Sequence, residues 1–480
     1  MADELDAVVV GSGPNGLTAA VALAERGLGV RVYEASDQIG GGARTAELTL
    51  PGFQHDICSA VHPFAAGSPA FARLPLADHG LEWLHPEVPL AHPQLDGSAA
   101  VLLRSLDETA DDLGQRDGRV WRALFGPFVG RWSDLAPDML QPVTAALPRH
   151  PLLLARFGVR AVWPPAVVAR VFRTERARTL LAGIAAHAIA PLSDPMAMSV
   201  ALSLGLAGHD IGWPLARGGS QAITNALASY LRSLGGEIVT GVRVRSLAEL
   251  PPARAYVLDV MPESLAALAG DRLPPAYRKR LTRYRHGPAV FKLDYALDEP
   301  VPWTAEACRR AGTIHVGATL DEIGAALRAV TRGDRPDPPF LIAAQPTVVD
   351  PDRAPAGKHI LWVYGHVPNG WDGDLTDAIE DQMERFAPGF RDVVAARSTR
   401  RPADLAADNP NLVGGDVSGG AFRGTQTLFR PLVARVPYAT PDPAVFLCSA
   451  ATPPGPGVHG MGGWQAADVA LDRRFHRART

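Results

Sequence analysis

The 480-residue chain contains only three cysteines and three lysines, and the spacing of the few cysteines excludes two kinds of site. The cysteines, Cys58, Cys308 and Cys448, lie far apart, so no CxxC pair exists for a zinc knuckle or a redox-active disulfide. No HExxH motif, Walker loop or Ser/His/Asp order occurs either, and we expect no metal. Positive charge is almost entirely arginine and the net charge is −3, which does not predict nucleic-acid binding.

Long hydrophobic runs are also missing. The longest apolar stretch, residues 180–192, is interrupted by His187 and is too short to span a bilayer. The chain starts with the acidic sequence MADELD and runs directly into a strand-like segment, which predicts no secretory signal. We therefore expect a cytoplasmic protein, with peripheral membrane contact left open. A length of 480 residues exceeds the usual size of one hydrophobic core and predicts two or more domains.

The N-terminal residues have the pattern of a dinucleotide-binding βαβ unit. The apolar run 7–10 predicts a buried parallel strand, and the glycine loop 11–16 follows it directly. Residues 17–25 predict a helix, and residues 30–33 predict a second strand that ends on Glu34. The acid thus lies about twenty residues beyond the glycines, the spacing at which it accepts hydrogen bonds from a ribose.

Each residue type in this loop has a physical purpose. Gly11 permits the tight turn, Gly13 allows the backbone to approach a pyrophosphate, and Gly16 lets the helix pack on its strand. Pro14 and Asn15 lie in the loop before the helix and are predicted cofactor contacts, and the free N–H groups and dipole of that helix favour the diphosphate. The alternative is a glycine-rich turn without a ligand, in which case the position of Glu34 is a coincidence.

A second glycine cluster begins six residues after Glu34, as Gly40-Gly41-Gly42-Ala43-Arg44. An acid followed by xxxxGGxxR resembles the second FAD signature of the amine oxidase and phytoene desaturase superfamily. This resemblance implies FAD as the cofactor, with Gly41, Gly42, Ala43 and Arg44 among its contacts. Arg44 is expected to pair with the pyrophosphate or a nearby acid, or otherwise to form a surface ion pair.

The C-terminal residues resemble the closing motif of the phytoene desaturase-like flavoproteins. The apolar run 445–448 opens into a Gly/Pro loop, and residues 464–473 predict a helix. The glycines at 455, 457, 460 and 463 fall at the family's spacing, although Ser449 replaces a usual glycine. The resemblance implies that Gly457, Val458, Gly460 and Met461 contact the flavin. His459 lies in this turn, as a catalytic candidate or as loop packing.

The middle of the chain carries the rest of the resemblance. Gly212-Trp213-Pro214 with Gly218-Gly219 is similar to the family's GWPxxxGG, and Val244 is the best match for a residue that contacts the adenine. Residues 409–416 and Arg430-Pro431 resemble a bacterial branch that includes pyridine nucleotide-disulfide oxidoreductase-like proteins. This chain lacks the CxxC pair that a disulfide reductase needs.

The resemblance implies an α/β fold with a Rossmann-type FAD-binding domain and an interleaved α+β substrate domain. We predict that residues 1–90, 213–285 and 405–480 form the FAD-binding domain. Residues 91–212 and 286–404 are predicted to form the substrate domain.

Candidate substrate-side residues are less well defined. Lys292 lies in a predicted strand, either near the flavin, as a lysine does in amine oxidase relatives, or in a structural role. Phe422, Gln426 and Phe429 are predicted to line a cavity or to belong to the core. His187 is interpreted as a core histidine. The arginine-rich stretch 149–178 has one acid, Glu175, and predicts either a membrane-surface element or a solvated basic face.

The expected function is an FAD-dependent desaturase or dehydrogenase. A hydride would leave an apolar, polyene- or isoprenoid-like small molecule for flavin N5, and an unidentified acceptor would reoxidise the flavin. The alternatives are an amine oxidase, and, from other classes, a flavin-using isomerase or a lipid-binding escort protein without catalysis.

Overall fold

The computed structural model describes residues 5–144 and 147–475. Residues 1–4 and 476–480, which the predicted FAD-binding domain includes, lie outside the described residues. Within them the strands are β1 (Leu5–Val10), β2 (Val30–Tyr33), β3 (Thr45–Glu47), β4 (Gln54–Asp56), β5 (Trp83–Leu84), β6 (Val88–Pro93), β7 (Ala99–Leu102), β8 (Leu215–Ala216), β9 (Glu237–Val239), β10 (Ala253–Leu258), β11 (Ala289–Leu297), β12 (Ala311–Val316), β13 (Leu341–Ala344), β14 (His359–Val367), β15 (Val394–Arg400) and β16 (Val445–Leu447).

Helices fill the long connections between these strands. The α-helices are α1 (Pro14–Ala24), α2 (Pro63–Ala66), α3 (Leu106–Asp112), α4 (Gln115–Phe125), α5 (Trp132–Met139), α6 (Pro151–Ala161), α7 (Pro165–Ala169), α8 (Glu175–Ala186), α9 (Ala197–Asp210), α10 (Gln221–Ser233), α11 (Pro262–Ala269), α12 (Pro275–Leu281), α13 (Glu306–Arg309), α14 (Leu320–Arg332), α15 (Thr376–Phe386), α16 (Pro402–Asp408) and α17 (Met461–Arg474). No helix among the described residues combines the length and the apolar character needed to cross a membrane.

The first sheet is parallel and has the strand order β16-β10-β1-β2-β9. Its central strand is apolar throughout residues 7–10 because helices cover both faces. Ala7 and Val9 belong to one core cluster together with residues of α1, α10 and α17. Val8 and Val10 belong to another, with residues of α11 and α12. The predicted Rossmann-type sheet is confirmed, with strands from all three segments assigned to that domain.

The second sheet is mainly antiparallel, with the order β15-β11-β14-β13-β12-β6-β7. One face carries apolar side chains such as Phe291, Leu293 and Val363, which pack against α15. The other face carries polar and aromatic side chains, because neighbouring residues of a strand point to opposite sides. This mixed sheet confirms the predicted α+β partner of the Rossmann-type domain. The boundary predicted at residue 90 falls inside β6, which pairs only within this second sheet.

A buried ion pair joins the β3–β4 hairpin to the connection that precedes β14. The Arg353 guanidinium, from the connection before β14, donates from Nη2 to Asp56 Oδ2 at 3.1 Å, and both side chains are 1% exposed. Asp56 Oδ1 also accepts from Ser220 N at 2.7 Å and from Thr45 Oγ1 at 2.9 Å. Burial opposes ionisation of Asp56, but Arg353 and these hydrogen bonds hold the pKa of its carboxyl below the usual range.

Replacing Arg353 by Met should destabilise the protein strongly at neutral pH, because the Asp56 carboxylate would stay buried without its partner. Breaking one side of a buried pair costs about 3–5 kcal/mol. The matched control is Lys358→Met, which removes an exposed pair with Asp298 at 2.8 Å and should cost about 0–1 kcal/mol. Thermal melts at several pH values measure both. Because the folded-state pKa of Asp56 is lowered, the difference in stability between the wild type and the Arg353→Met variant should shrink as the pH falls below about 4. Equal melting temperatures for the two variants would contradict this role.

Candidate functional site

One continuous cavity of about 1460 Å³ separates the two sheets. Ligand pockets usually measure about 300–1,000 Å³, so this one has room for a dinucleotide and a second molecule. The following residues with predicted roles line it: Gly11, Gly13, Pro14, Asn15, Glu34, Gly41, Gly42, Arg44, His187, Val244, Lys292, Phe422, Gly457, Val458 and His459. Segments that are more than 400 residues apart in sequence thus meet at one site.

The first glycine loop adopts a shape that side chains would prevent. Gly11 has φ 98°, in the left-handed region that favours glycine. A Cβ atom on Gly16 would lie 2.1 Å from the Gly11 carbonyl oxygen. Gly16 therefore lies behind the cavity wall, where it lets α1 pack on the loop instead of lining the cavity. Helix α1 begins at Pro14, and its N-terminus points positive partial charge towards the site.

Glu34 lies at the carboxyl end of β2 and lines the cavity. Its Oε2 atom accepts from Ser12 N at 2.9 Å and from Ser12 Oγ at 2.6 Å, and Oε1 accepts from Ser36 N at 2.9 Å. These bonds hold the carboxylate beside the glycine loop, where a ribose hydroxyl would need an acceptor. Beyond β9, residues 242–244 continue as irregular backbone, and Val242 N donates to Glu34 O at 2.8 Å. Val244 thereby reaches the cavity from a loop.

The second glycine cluster lies directly against the first. A Cβ on Gly41 would lie 3.1 Å from Gly13 Cα, so the two backbones approach closely. Arg44 is buried and forms no surface ion pair: Nε donates to Gly41 O at 3.0 Å and Nη2 donates to Asp408 O at 3.1 Å. Ala43 does not line the cavity, because its side chain is buried behind the loop. Arg44 thus fixes the loop and contributes its charge to the cavity wall.

The C-terminal loop reaches the site because α17 packs on α1. A Cβ on Gly463 would lie 1.9 Å from Asn15 O, and one on Gly460 would lie 2.4 Å from Thr18 Oγ1. Gly457 and Val458 line the cavity. Gly460 and Met461 do not, because they lie in the buried contact between the two helices. Their role in this structure is to seat the loop.

His459 is fully buried, and its hydrogen bond defines its tautomer. Met461 N donates to His459 Nδ1 at 3.1 Å, so the ring proton is on Nε2. Burial lowers the pKa of this imidazole to about 4, which makes it neutral at physiological pH. With Nδ1 occupied in capping α17, His459 holds the turn and is poorly placed to accept a proton.

Asp259 is a site residue that the sequence analysis missed. It directly follows β10, at the carboxyl end where open α/β sheets bind ligands, and that position is the signal that could have identified it. Its Oδ2 atom accepts from Gly16 N at 3.0 Å and would lie 2.9 Å from a Cβ on Gly13. Burial, with a contribution from Glu34, raises the pKa of this carboxyl to about 7.

Lys292 lies on the polar face of the second sheet, with its ammonium group lining the cavity. The side chain is 1% exposed, donates to Asp294, and lies 5.7 Å from the centroid of the Trp362 ring. His55 Nδ1 lies 3.7 Å from the second Asp294 oxygen. Burial lowers the pKa of Lys292, although Asp294 opposes the shift. A buried cation that borders a cavity is typical of a functional site.

Two of the predicted substrate-cavity residues are placed elsewhere. Phe422 lines the cavity, but Gln426 and Phe429 do not. The Gln426 side chain is held by the backbone of residue 285, accepting from Arg285 N at 3.1 Å and donating to Arg285 O at 2.8 Å. That clamp turns its amide away from the cavity. Nothing in the sequence near residue 426 indicates this long-range partner.

His187 lines the cavity, which corrects its interpretation as a core histidine. Its Nε2 atom lies 2.9 Å from Nε2 of His315, which is buried on the second sheet. The next turn contains Ile189 at φ 48°, and Met196 before α9 has φ 70°. Positive φ is strained for such side chains, and strained backbone is found most often at functional sites. Both residues line the cavity.

Comparisons with known proteins agree with this geometry. Residues 9–74 match the family model of an NAD(P)-binding Rossmann-like domain. Pyridine nucleotide-disulfide oxidoreductase domain-containing protein 2 of Rattus norvegicus is 26% identical, over 98% of this chain and 93% of that protein. Phytoene dehydrogenase of Streptomyces griseus is 27% identical, over 82% of this chain and 78% of that protein. The structure of a putrescine oxidase bound to putrescine superposes with a TM-score of 0.62 at 17% identity, covering 98% of both chains.

The residues present fit FAD as the cofactor. Two glycine loops, one at each end of the chain, leave open backbone where side chains would block a pyrophosphate. Glu34 offers acceptors for a ribose, and α1 offers its N-terminus for the phosphates. Gly457 and Val458 lie on the same cavity for the flavin end.

Replacing Gly463 by Ala should separate the two loops, because its Cβ would overlap the Asn15 carbonyl oxygen. Overpacking of this kind costs about 1–3 kcal/mol, and we expect FAD affinity to fall at least about tenfold with it. Gly324→Ala is the matched control: it is also helical, it does not line the cavity, and the nearest atom to its Cβ is the flexible end of the Arg328 side chain at 3.1 Å. FAD titration of the apoprotein measures both variants. If the Gly463 variant bound FAD as tightly as the control, the contact would not be needed for the site.

The affinity for FAD should fall as the pH rises through about 7, because Asp259 and the pyrophosphate share one helix N-terminus. The bound phosphates favour the protonated carboxyl, so binding takes up a proton, and the dissociation constant should rise up to about tenfold per pH unit above that value. Asp259→Asn should remove this dependence while still accepting from Gly16 N. Asp6→Asn, at the opposite end of the sheet, is the control. An unchanged pH slope in the Asp259 variant would refute the linkage.

Proposed function

We propose that this FAD-dependent oxidoreductase is a desaturase or dehydrogenase of an apolar small molecule, because most of its length is similar to a phytoene dehydrogenase and its fold is shared with amine oxidases. The observation that carries the proposal is the lining of the cavity. The glycine loops and Lys292 line it, and so do side chains of the second sheet and of the helices α6 and α9, which form the walls of a substrate chamber. The chamber walls are mostly apolar, with Leu154, Phe157, Val200, Leu204, Ile342 and Ala344 among them.

FAD, when bound, would accept a hydride, which carries both electrons, from the substrate, and the second hydrogen would leave as a proton. The residues of the chain bind and orient the cofactor and the substrate, and they exclude water. Helix α17 begins beside the loop 457–460, and its positive end favours negative charge nearby by about 0.3–1 kcal/mol, or up to ~2 when partly buried. Lys292, paired with Asp294, lines the same cavity as the glycine loops.

The positions of the carboxylates along the cavity favour an apolar substrate over a cationic amine, because none of them is free to bind an ammonium group in the chamber. Among the described residues they are Glu34, Asp138, Asp259 and Asp408. Asp138 accepts from Arg149 N and His150 N at 2.9 and 2.8 Å, and Asp408 pairs with Arg400. Glu34 and Asp259 lie at the glycine loops. No free carboxylate therefore faces the described part of the chamber to bind an ammonium group. The likeness to phytoene dehydrogenase supports a polyene- or isoprenoid-like molecule as the substrate class.

An amine oxidase is the second candidate, favoured by one aromatic pair. Trp362 and Tyr364 both line the cavity, with ring centroids 4.9 Å apart and planes at 87°. Such rings can stabilise an amine through cation–π contacts. The fold shared with putrescine oxidase supports the same reading.

Anaerobic mixing of the FAD-loaded protein with a panel of polyenes, isoprenoids and amines tests the proposal. We expect an apolar compound to bleach the visible absorbance of the oxidised flavin. Bleaching by amines alone, with peroxide formed in air, would favour the amine oxidase. Product without bleaching would indicate an isomerase, and a protein that takes up no FAD would indicate an escort protein.

A substitution in the substrate chamber should affect substrate oxidation without affecting FAD binding. Val200, on α9, is partly exposed to the cavity, so Val200→Trp should fill the chamber and slow substrate-dependent bleaching at least about tenfold. FAD affinity should not change. Val200→Ala is the control and should bleach at nearly the wild-type rate. Equal rates for the two variants would place the substrate outside this chamber.

A further inference from the structure

The exposed apolar side chains concentrate in one segment of the chain. Fourteen large hydrophobic side chains are exposed among the described residues, and eight of them fall between residues 143 and 171. Single exposed aliphatic residues are common, but a cluster of this kind marks an interaction site. We name this cluster, with the arginines between its members, the α6–α7 surface. Its apolar members are Val143, Leu147, Leu152, Val159, Val162, Trp163, Val167 and Val171.

Helix geometry places part of this set on one outward face. Leu152, Arg156 and Val159 of α6, and Trp163 just beyond it, follow the spacing i, i+4, i+7 and i+11. Leu152 is 79% exposed and Trp163 is 54% exposed. The opposite face of α6 is buried, with Leu153 and Phe157 in the core.

Most positive charges on this surface have no acidic partner among the described residues. Five arginines (Arg149, Arg156, Arg160, Arg170 and Arg173) form no ion pair with any described residue, and Glu175 is the only acid between residues 147 and 178. Arg176 and Arg178, farther along the chain, are paired with Asp112 and Glu175. Charge interspersed with apolar groups differs from the core of a protein–protein interface, which is depleted in charge. Anionic lipid headgroups complement it, at about 1 kcal/mol per arginine.

The same helix forms a wall of the cavity. Leu154, Phe157 and Gly158 of α6 line it from the inside. Val143 and Leu428 line the cavity and are also 60% and 40% exposed, so they mark its mouth. The mouth therefore opens beside the α6–α7 surface.

We propose that the α6–α7 surface docks on a bilayer that contains anionic lipids, and that the apolar substrate passes from the bilayer into the cavity between Val143 and Leu428. Trp163 and the aliphatic side chains insert among the lipids, and the arginines contact the headgroups. The route for the substrate rests on the proposed function, whereas the docking itself does not.

Flotation of the FAD-loaded protein with vesicles tests the docking. We expect binding to phosphatidylcholine vesicles that contain phosphatidylglycerol, and much weaker binding to phosphatidylcholine alone. Trp163→Asp should reduce the bound fraction at least about tenfold. The triple change Arg156→Gln, Arg170→Gln and Arg173→Gln should weaken binding about fivefold for each arginine removed. Leu95→Asp is the matched control, because Leu95 is 62% exposed in the turn between β6 and β7. Flavin absorbance and thermal melts verify that each variant is folded.

Other outcomes would overturn the docking. Wild-type protein that floats with neither kind of vesicle contradicts it. A Leu95→Asp variant that loses as much vesicle binding as the Trp163→Asp variant also contradicts it. A dimer in light scattering that Trp163→Asp dissociates, without vesicle binding, would make the surface an interface between copies of this chain. Bleaching by a detergent-dispersed substrate separates the two proposals: vesicle binding without any bleaching refutes the proposed function and leaves the docking intact.

Discussion

The structure depends on the contact between the N-terminal ends of two helices from opposite ends of the chain. Helix α17 reaches α1 only because Gly463 has no side chain where the Asn15 carbonyl lies, and Gly463 N can then approach Asn15 Oδ1 at 3.3 Å. This contact turns the loop 457–460 towards the cavity opposite the first glycine loop. Without it each loop would be an ordinary glycine turn, and the site would lose one of its walls.

The second sheet divides its two faces between stability and binding. Alternation along β11 sends Phe291 and Leu293 to the core, and sends Lys292 and Asp294 towards the cavity side. Buried polar groups are stable only when paired, and Lys292 with Asp294 satisfies that condition. Thr313 Oγ1 and Trp362 Nε1 are buried, line the cavity, and have no partner among the described residues. Unsatisfied groups of this kind at a cavity wall are available to a ligand.

Much of the cofactor half could be predicted from the sequence, because its signals are local. The strand, glycine loop, helix and terminal acid of the βαβ unit lie within 30 residues, and the structure places Gly13, Glu34 and Gly41 on one cavity. The sequence analysis did not identify Asp259, because this residue reaches the glycine loop only through the pairing of β10 with β1. Asp259 lies 243 residues beyond Gly16, from whose N–H it accepts a hydrogen bond. Gln426 was misjudged for the same reason, since the backbone of Arg285 holds its side chain. Sequence spacing predicts turns and faces, but it does not predict which distant segment supplies a partner.

Four imidazoles lie on the substrate side, three on the second sheet and one, His187, in the cavity wall. His92, His187, His315 and His366 all have lowered pKa values, caused first by burial, with values of about 4 for His92 and His187 and about 3 for His366. His92 Nε2 lies 2.7 Å from the Gly317 carbonyl oxygen, and His187 contacts His315. All four are neutral at physiological pH, and a neutral imidazole offers hydrogen bonds without charge. His187 is thus an uncharged part of the cavity wall, and the pair of Lys292 and Asp294 compensates its own charges, which suits an apolar or weakly polar substrate better than an ionic one.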